Sequence, residues 1–63
     1  MGAFAVGTRV LVLRYDTFGK IVYVLRHPQN RKKFIYEVRF EDSYDDDNNK
    51  SFLAKDLMKA SEQ

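Results

Sequence analysis

The segment Phe34–Phe40, with the sequence FIYEVRF, determines the fold that we predict for this chain. Successive side chains of a β-strand point to opposite faces of the sheet. The alternation therefore places four apolar side chains on one face, namely Phe34, Tyr36, Val38 and Phe40. The other face carries Ile35, Glu37 and Arg39. This strict period of two predicts a half-buried antiparallel strand.

Two runs of apolar and β-branched residues earlier in the chain predict two more strands. Residues 10–13 read VLVL and residues 20–25 read KIVYVL, a composition that favours strand over helix. Gly7 and Gly19 precede these runs, where the tight bends of a small barrel favour glycine. Pro28 ends the second run because it cannot donate a hydrogen bond to a neighbouring strand.

The chain after Phe40 predicts a loop, a short fourth strand and a turn. Residues 45–49 combine acids and amides, which is typical of a solvated loop, and residues 51–54 (SFLA) are suited to a short strand. Residues 56–58 (DLM) resemble a single helical or 3₁₀ turn, with Leu57 folded back onto the core.

A few strands joined by short loops bury both faces most economically by closing into a barrel, since isolated hairpins are marginal in water. We therefore predict an all-β fold, a small barrel of four to five antiparallel strands with a short C-terminal helical turn. It forms a single domain over residues 5–59, and we expect residues 1–4 and 60–63 to fray.

The composition excludes several classes of protein. The chain has 63 residues, no cysteine and one histidine, so it forms no disulfide or thiolate metal site, and a protein-only zinc or copper site is not expected. It has no apolar run of the roughly 20 residues that span a bilayer and no signal-peptide core. It lacks a serine elbow and a glycine-rich phosphate loop. We therefore expect an intracellular, monomeric binding domain, part of a larger protein, with no enzymatic activity, cofactor or membrane partner.

Charge is distributed unevenly along the chain. Residues 1–40 carry eight Lys and Arg against two acids, and residues 41–63 carry three Lys against seven acids. The basic cluster consists of Arg26, His27, Arg31, Lys32 and Lys33. The acidic cluster consists of Glu41, Asp42, Asp45, Asp46 and Asp47. Charge runs are usually solvated loops, but opposite clusters on a small domain also orient charged partners.

The order of motifs resembles that of Tudor and chromo-barrel domains, which are SH3-like barrels. The motifs are VGTRVLV at residues 6–12, FGKI at 18–21, YEVRFED at 36–42 and KDL at 55–57. The resemblance covers residues 5–58. Other SH3-like barrels share the G-x-x-V opening and the G-x-I second strand, whereas the segment 36–42 favours the Tudor-like group.

This resemblance implies a chromatin-type reader of methylated lysine or arginine that uses an aromatic cage at the barrel mouth. A methylated ammonium keeps its charge but loses hydrogen-bond donors, so aromatic faces bind it well. The positions that match the family's cage are Tyr15, Phe18, Phe40 and Tyr44, with Asp42 as the rim acid. Phe52 is the alternative to Tyr44, although the sequence pattern favours a core position for it. Packing in the core is likewise an alternative to a cage role for Phe40. The chain departs from the family in having no Trp and in its long, acidic segment 43–50.

Three possible kinds of partner follow from these observations. The first is a basic, methylated, histone-like peptide bound beside the acidic cluster, which implies a nuclear location. The alternative is DNA or RNA, whose phosphates would contact the basic cluster without base stacking, because Phe34 and Tyr36 have the pattern of core residues. A third possibility is a docking module of a transcription protein that binds by strand addition.

Overall fold

Five antiparallel strands form a curled half-barrel in the computed structural model, which describes residues 4–42 and 49–60. The elements are β1 (Arg9–Val12), β2 (Thr17–Arg26), β3 (Phe34–Phe40), β4 (Lys50–Leu53), a 3₁₀ turn (Ala54–Asp56) and β5 (Leu57–Lys59). The strand order in the sheet is β4-β3-β2-β1-β5. The predicted small all-β barrel is confirmed.

The alternation in β3 determines which side of the sheet forms the core. Tyr36 and Val38 are almost completely buried, whereas Arg39 on the opposite face is exposed. The strand has the bounds that its sequence predicts. Its buried face packs in one apolar cluster with residues from the other four strands, namely Val10, Val12, Ile21, Phe52 and Leu57.

Gly19 lies inside β2 and not at a bend before it, which corrects the predicted start of this strand. It pairs with Phe40 of β3, and a methyl group on it would lie 2.5 Å from Cγ1 of Val38 and 2.8 Å from the carbonyl oxygen of Arg39. Glycine therefore allows β2 and β3 to approach closely at this point. Gly7, in contrast, lies in a turn and has a φ of 95°, which glycine adopts without strain.

The predicted C-terminal helical turn is present two residues earlier than expected, at Ala54–Asp56, and a fifth strand follows it. The 3₁₀ turn ends at Asp56, and Leu57 begins β5, opposite Val12 of β1. Placing Leu57 and Met58 in the turn was wrong, because both pair with the open edge of β1, and this pairing depends on contacts distant in sequence. Leu57 is nevertheless buried, as predicted.

Two residues assigned to the fraying ends pack against the barrel. The ring of Phe4 contacts Tyr36 edge-on, with 5.4 Å between ring centroids. Ala60 is buried, and its backbone N–H donates to the carbonyl oxygen of Arg9 at 2.9 Å. Residues 1–3 and 61–63 lie outside the described residues.

The β2–β3 hairpin separates the basic cluster from Glu41 and Asp42, the members of the acidic cluster within the described residues. Arg26 pairs with Phe34 at one end, which we call the basic end, and Gly19 pairs with Phe40 at the other, the acidic end. Phe34 and Phe40 are six residues apart in β3, and this corresponds to about 20 Å at the usual rise per residue of a strand. The hairpin therefore presents opposite charges at opposite ends.

Candidate functional site

Three aromatic rings meet at the acidic end of the barrel. The centroid of Tyr15 lies 5.8 Å from that of Phe40 and 6.1 Å from that of Phe52, and Phe40 and Phe52 are 6.2 Å apart. The angles between the ring planes are 90°, 76° and 88°, in the same order. We call this cluster the ring corner, because each plane is close to perpendicular to the other two.

Each ring of the corner comes from a different part of the fold. Phe40 is the last residue of β3, and Phe52 lies on β4 opposite Tyr36. Tyr15 lies in the turn between β1 and β2, where its N–H donates to the carbonyl oxygen of Val12 at 3.2 Å. Its own carbonyl oxygen accepts a hydrogen bond of 2.9 Å from Oγ1 of Thr17. These bonds hold the backbone that carries the Tyr15 ring.

The rings of the corner differ in exposure. Tyr15 is 47% exposed, Phe40 is half-buried and Phe52 is only 7% exposed. Phe52 thus joins the corner to the core, and Tyr15 forms its solvent side. The separations match ordinary edge-to-face packing, which stabilises aromatic clusters, so the corner contributes to stability whatever it binds.

The geometry of the ring corner also suits a cation. A ring face attracts a cation within roughly 6 Å of its centroid. Tyr15 is 47% exposed and Phe40 is half-buried, so these two rings present aromatic surface to solvent, and Phe52 packs behind them at 7% exposure. A methylated ammonium would dock against this exposed aromatic surface.

Carboxylates surround the outer side of this end of the barrel. Asp16, Thr17, Phe18, Glu41 and Asp42 line a depression of about 300 Å³. Among the described residues, neither Asp16 nor Asp42 forms an ion pair. Asp42, which the resemblance proposes as the rim acid, is exposed two residues after Phe40.

Glu41 is already paired with Arg9. Nε of Arg9 donates to Oε2 of Glu41, and Nη2 donates to Oε1 at 3.0 Å. This hydrogen bonding is the main cause that lowers the pKa of Glu41 and raises the pKa of Arg9. Glu41 therefore contributes little free negative charge for a ligand, and that role falls to Asp16 and Asp42.

Phe18 lies apart from the ring corner. It pairs with Leu11 on the outer face of the sheet, whereas its neighbour Gly19 is buried. The guanidinium carbon of Arg9 lies 4.1 Å from the centroid of the Phe18 ring, so a cation of the chain itself occupies one face of this ring. The aromatic cluster therefore contains Phe52 and not Phe18, which the resemblance had assigned to the cage.

Only part of the predicted acidic-end site falls within the described residues. Tyr44, and the acids Asp45, Asp46 and Asp47, lie outside the described residues. Of the predicted cage residues, the structure brings Tyr15 and Phe40 together and places Asp42 nearby. Phe52 was the alternative given for Tyr44, and the structure places it in the cluster, on the side of the core.

At the basic end, two predicted nucleic-acid contacts stabilise their own loop. Nη1 of Arg26 donates to the carbonyl oxygen of Arg31 at 2.8 Å, and its guanidinium carbon lies 5.2 Å from the centroid of the Phe34 ring. Nδ1 of His27 accepts a hydrogen bond of 3.1 Å from the backbone N–H of Gln29. The polar groups of Arg26 and His27 are thus partly occupied within residues 26–34.

The remaining predicted basic residues, Arg31, Lys32 and Lys33, are exposed. Two of them border a pocket of about 280 Å³, which we call the lysine pocket. It is lined by Lys32, Lys33, Phe34, Tyr36, Leu53, Ala54 and Lys55. Lys55 has no sequence signal that links it to the basic cluster, because only the closure of the sheet brings the 3₁₀ turn beside the start of β3.

Comparison of this chain with protein-family models, with curated proteins and with solved structures found no match. In residues 4–42 and 49–60, no cluster of His, Asp or Glu is suited to hold a metal ion. No helix within these ranges has the length and apolar character needed to cross a membrane.

Proposed function

We propose that this protein is a binding module for a methylated lysine or arginine side chain in a basic peptide. The observation that carries the proposal is the near-perpendicular arrangement of Tyr15, Phe40 and Phe52. A trimethylammonium group loses less hydration on binding than an ammonium that donates three hydrogen bonds, so aromatic faces favour the methylated form.

The charge around the ring corner supports a peptide that is basic beyond its methylated residue. Asp16 and Asp42 are exposed carboxylates at this end of the barrel, and they would attract neighbouring Lys or Arg side chains of the ligand. A histone-like tail has this chemistry. A chromatin role and a nuclear location are part of the proposal, together with the Tudor-like resemblance of residues 36–42.

The expected affinity is weak. Each ring face contributes on the order of 0.5–2 kcal/mol to binding a cation. Three rings and two solvent-exposed carboxylates, reduced by the entropy lost on association, correspond to dissociation constants of about 10 µM to 1 mM. Binding of this strength is readily measured by NMR titration.

The test compares three peptides that differ only at one residue: lysine, trimethyllysine, and the neutral isostere in which carbon replaces the quaternary nitrogen. We expect the trimethyllysine peptide to bind more tightly than both others, because the isostere retains the shape but not the charge. Equal binding of trimethyllysine and the isostere would mean that no cation is recognised. Equal binding of trimethyllysine and lysine would exclude a methyl-specific site.

Two tyrosine variants locate the site. Tyr15→Ala removes one ring of the corner and should weaken binding of the trimethyllysine peptide by a factor of about 2 to 30. Tyr23→Ala is the matched control, since Tyr23 is 60% exposed on β2 and does not belong to the corner. If Tyr23→Ala weakened binding and Tyr15→Ala did not, the proposed site would be wrong.

A further inference from the structure

The lysine pocket combines positive charge with an apolar interior. Lys32 and Lys33 precede β3, and Lys55 comes from the 3₁₀ turn. Phe34, Tyr36, Leu53 and Ala54 form the rest of the lining, which includes no carboxylate. None of the three lysines forms an ion pair with any residue in the described ranges. Their charge is therefore available to an anionic ligand.

The loop that carries two of these lysines is held by hydrogen bonds to its own backbone. The N–H of His27 donates to the carbonyl oxygen of Lys33, and the N–H of Lys33 donates to the carbonyl oxygen of Asn30, both at 3.0 Å. Oδ1 of Asn30 accepts a hydrogen bond of 3.0 Å from the N–H of Lys32. The two lysines thus extend from a structured loop, which lowers the entropy lost when they contact a ligand.

Phe34 connects the charged rim to the pocket interior. It is half-buried at the start of β3 and lines the pocket. The Arg26 guanidinium lies near this ring, at 5.2 Å from its centroid. The sequence pattern indicated that Phe34 is a core residue. In the structure it is only half-buried, and its ring provides aromatic surface beside the three lysine side chains.

We propose that the lysine pocket binds single-stranded nucleic acid, with Lys32, Lys33 and Lys55 contacting phosphates and one base entering the pocket beside Phe34. Each unit of such a strand supplies both a negative charge and a planar aromatic group, which matches the two chemistries of the pocket. A polyglutamate-like acidic peptide supplies the charge but no planar aromatic group. A duplex keeps its bases stacked inside and cannot insert one without unstacking it.

This site is distinct from the ring corner and has the opposite charge preference. Tyr36 lines the lysine pocket and pairs across β3 and β4 with Phe52 of the ring corner, and the two sites have no lining residue in common. A cationic peptide and an anionic strand therefore need not compete for the same side chains. The domain would bind both kinds of partner through separate surfaces.

Fluorescence anisotropy of a short labelled oligothymidylate tests the proposal. We compare it with an abasic strand of the same length, a duplex of the same length and a polyglutamate peptide of matched charge. The oligothymidylate should bind tightest, by about tenfold over the abasic strand, since stacking of one base on an aromatic side chain accounts for about that factor. With three phosphate contacts, the logarithm of its binding constant should fall with the logarithm of salt concentration at a slope of about −2.

Two lysine variants distinguish the pocket from general electrostatic attraction. Lys55→Gln should weaken binding and make the salt slope less negative by about 0.7. Lys59→Gln makes the same change in net charge, but Lys59 lies on β5 and does not line the pocket, so it should leave the slope unchanged. Equal effects of the two variants would overturn the site.

Phe34→Leu tests the base contact, with an apolar side chain retained to preserve packing. It should remove the advantage of the oligothymidylate over the abasic strand while leaving the salt slope unchanged. If the abasic strand already binds the original protein as tightly as oligothymidylate, no base enters the pocket and the proposal fails. Tighter binding of the duplex or of polyglutamate would identify a different class of partner and would also overturn it.

Discussion

Replacing Gly19 with alanine should destabilise the barrel and disturb the ring corner together. The added methyl group would lie 2.5 Å from Cγ1 of Val38 and 2.8 Å from the carbonyl oxygen of Arg39. Ordinary contacts of a Cβ atom begin near 3.4 Å. The side chain of Val38 can rotate, but the Arg39 oxygen belongs to the backbone, so β2 and β3 must move apart where Gly19 pairs with Phe40.

The magnitude follows from two opposing contributions to the free energy of unfolding. Overpacking of a well-packed site costs about 1–3 kcal/mol. Alanine has less conformational freedom than glycine in the unfolded chain, and this stabilises the folded variant by about 0.4–1 kcal/mol. We expect a net loss of about 1–2 kcal/mol, which lowers the melting temperature of a domain of this size by about 5–15 °C.

Thermal and urea unfolding followed by circular dichroism measure this effect. Lys20→Ala is the control, because Lys20 is the next residue of β2 and is exposed. Surface changes of this kind usually alter the free energy of unfolding by less than about 0.5 kcal/mol. A Gly19→Ala variant as stable as the original protein would refute the close approach of β2 and β3.

Three other changes test separate parts of the structure. Arg9→Gln should lower stability at neutral pH and much less below about pH 4, as urea unfolding against pH can measure. The direction of this pH dependence follows because Arg9 lowers the pKa of Glu41 in the folded protein. The ion pair therefore stabilises the fold while Glu41 is ionised, and this stabilisation is lost as the pH falls and Glu41 is protonated. Ile21→Val should cost about 0.5–1.5 kcal/mol of unfolding free energy, since Ile21 is fully buried. Asp42→Asn should weaken binding of a basic trimethyllysine peptide at low salt but have little effect at high salt in the same NMR titration; an equal loss at both would mean that Asp42 acts by direct contact.

The strands with local sequence signals were predictable, and those that depend on distant pairing were not. β3 was predicted with its bounds because its period of two is unbroken. β5 was not predicted, because three residues after the 3₁₀ turn carry no strand signal until the edge of β1 is known. The start of β2 at Thr17 was missed because Gly19 suggested a bend.

The same distinction explains the outcome at the two sites. The assignment of Phe18 to the cage followed from starting β2 at Gly19. In a strand that starts at Thr17, the buried Gly19 places its neighbour Phe18 on the outer face. Phe52 and Tyr15 come together only when β4 and the β1–β2 turn meet in three dimensions. Lys55 likewise comes near Lys32 only in the folded chain. The sequence therefore could not predict all members of either the ring corner or the lysine pocket.

The central claim is that the ring corner binds a methylated cation. The most direct test is an NMR experiment that detects nuclear Overhauser effects between the N-methyl protons of a trimethyllysine peptide and the ring protons of the protein. We predict effects from the N-methyl protons to the ring protons of Tyr15, Phe40 and Phe52, and an upfield shift of the N-methyl signal from the three ring faces. Effects confined to other residues, or an unshifted N-methyl signal at saturation, would contradict the account.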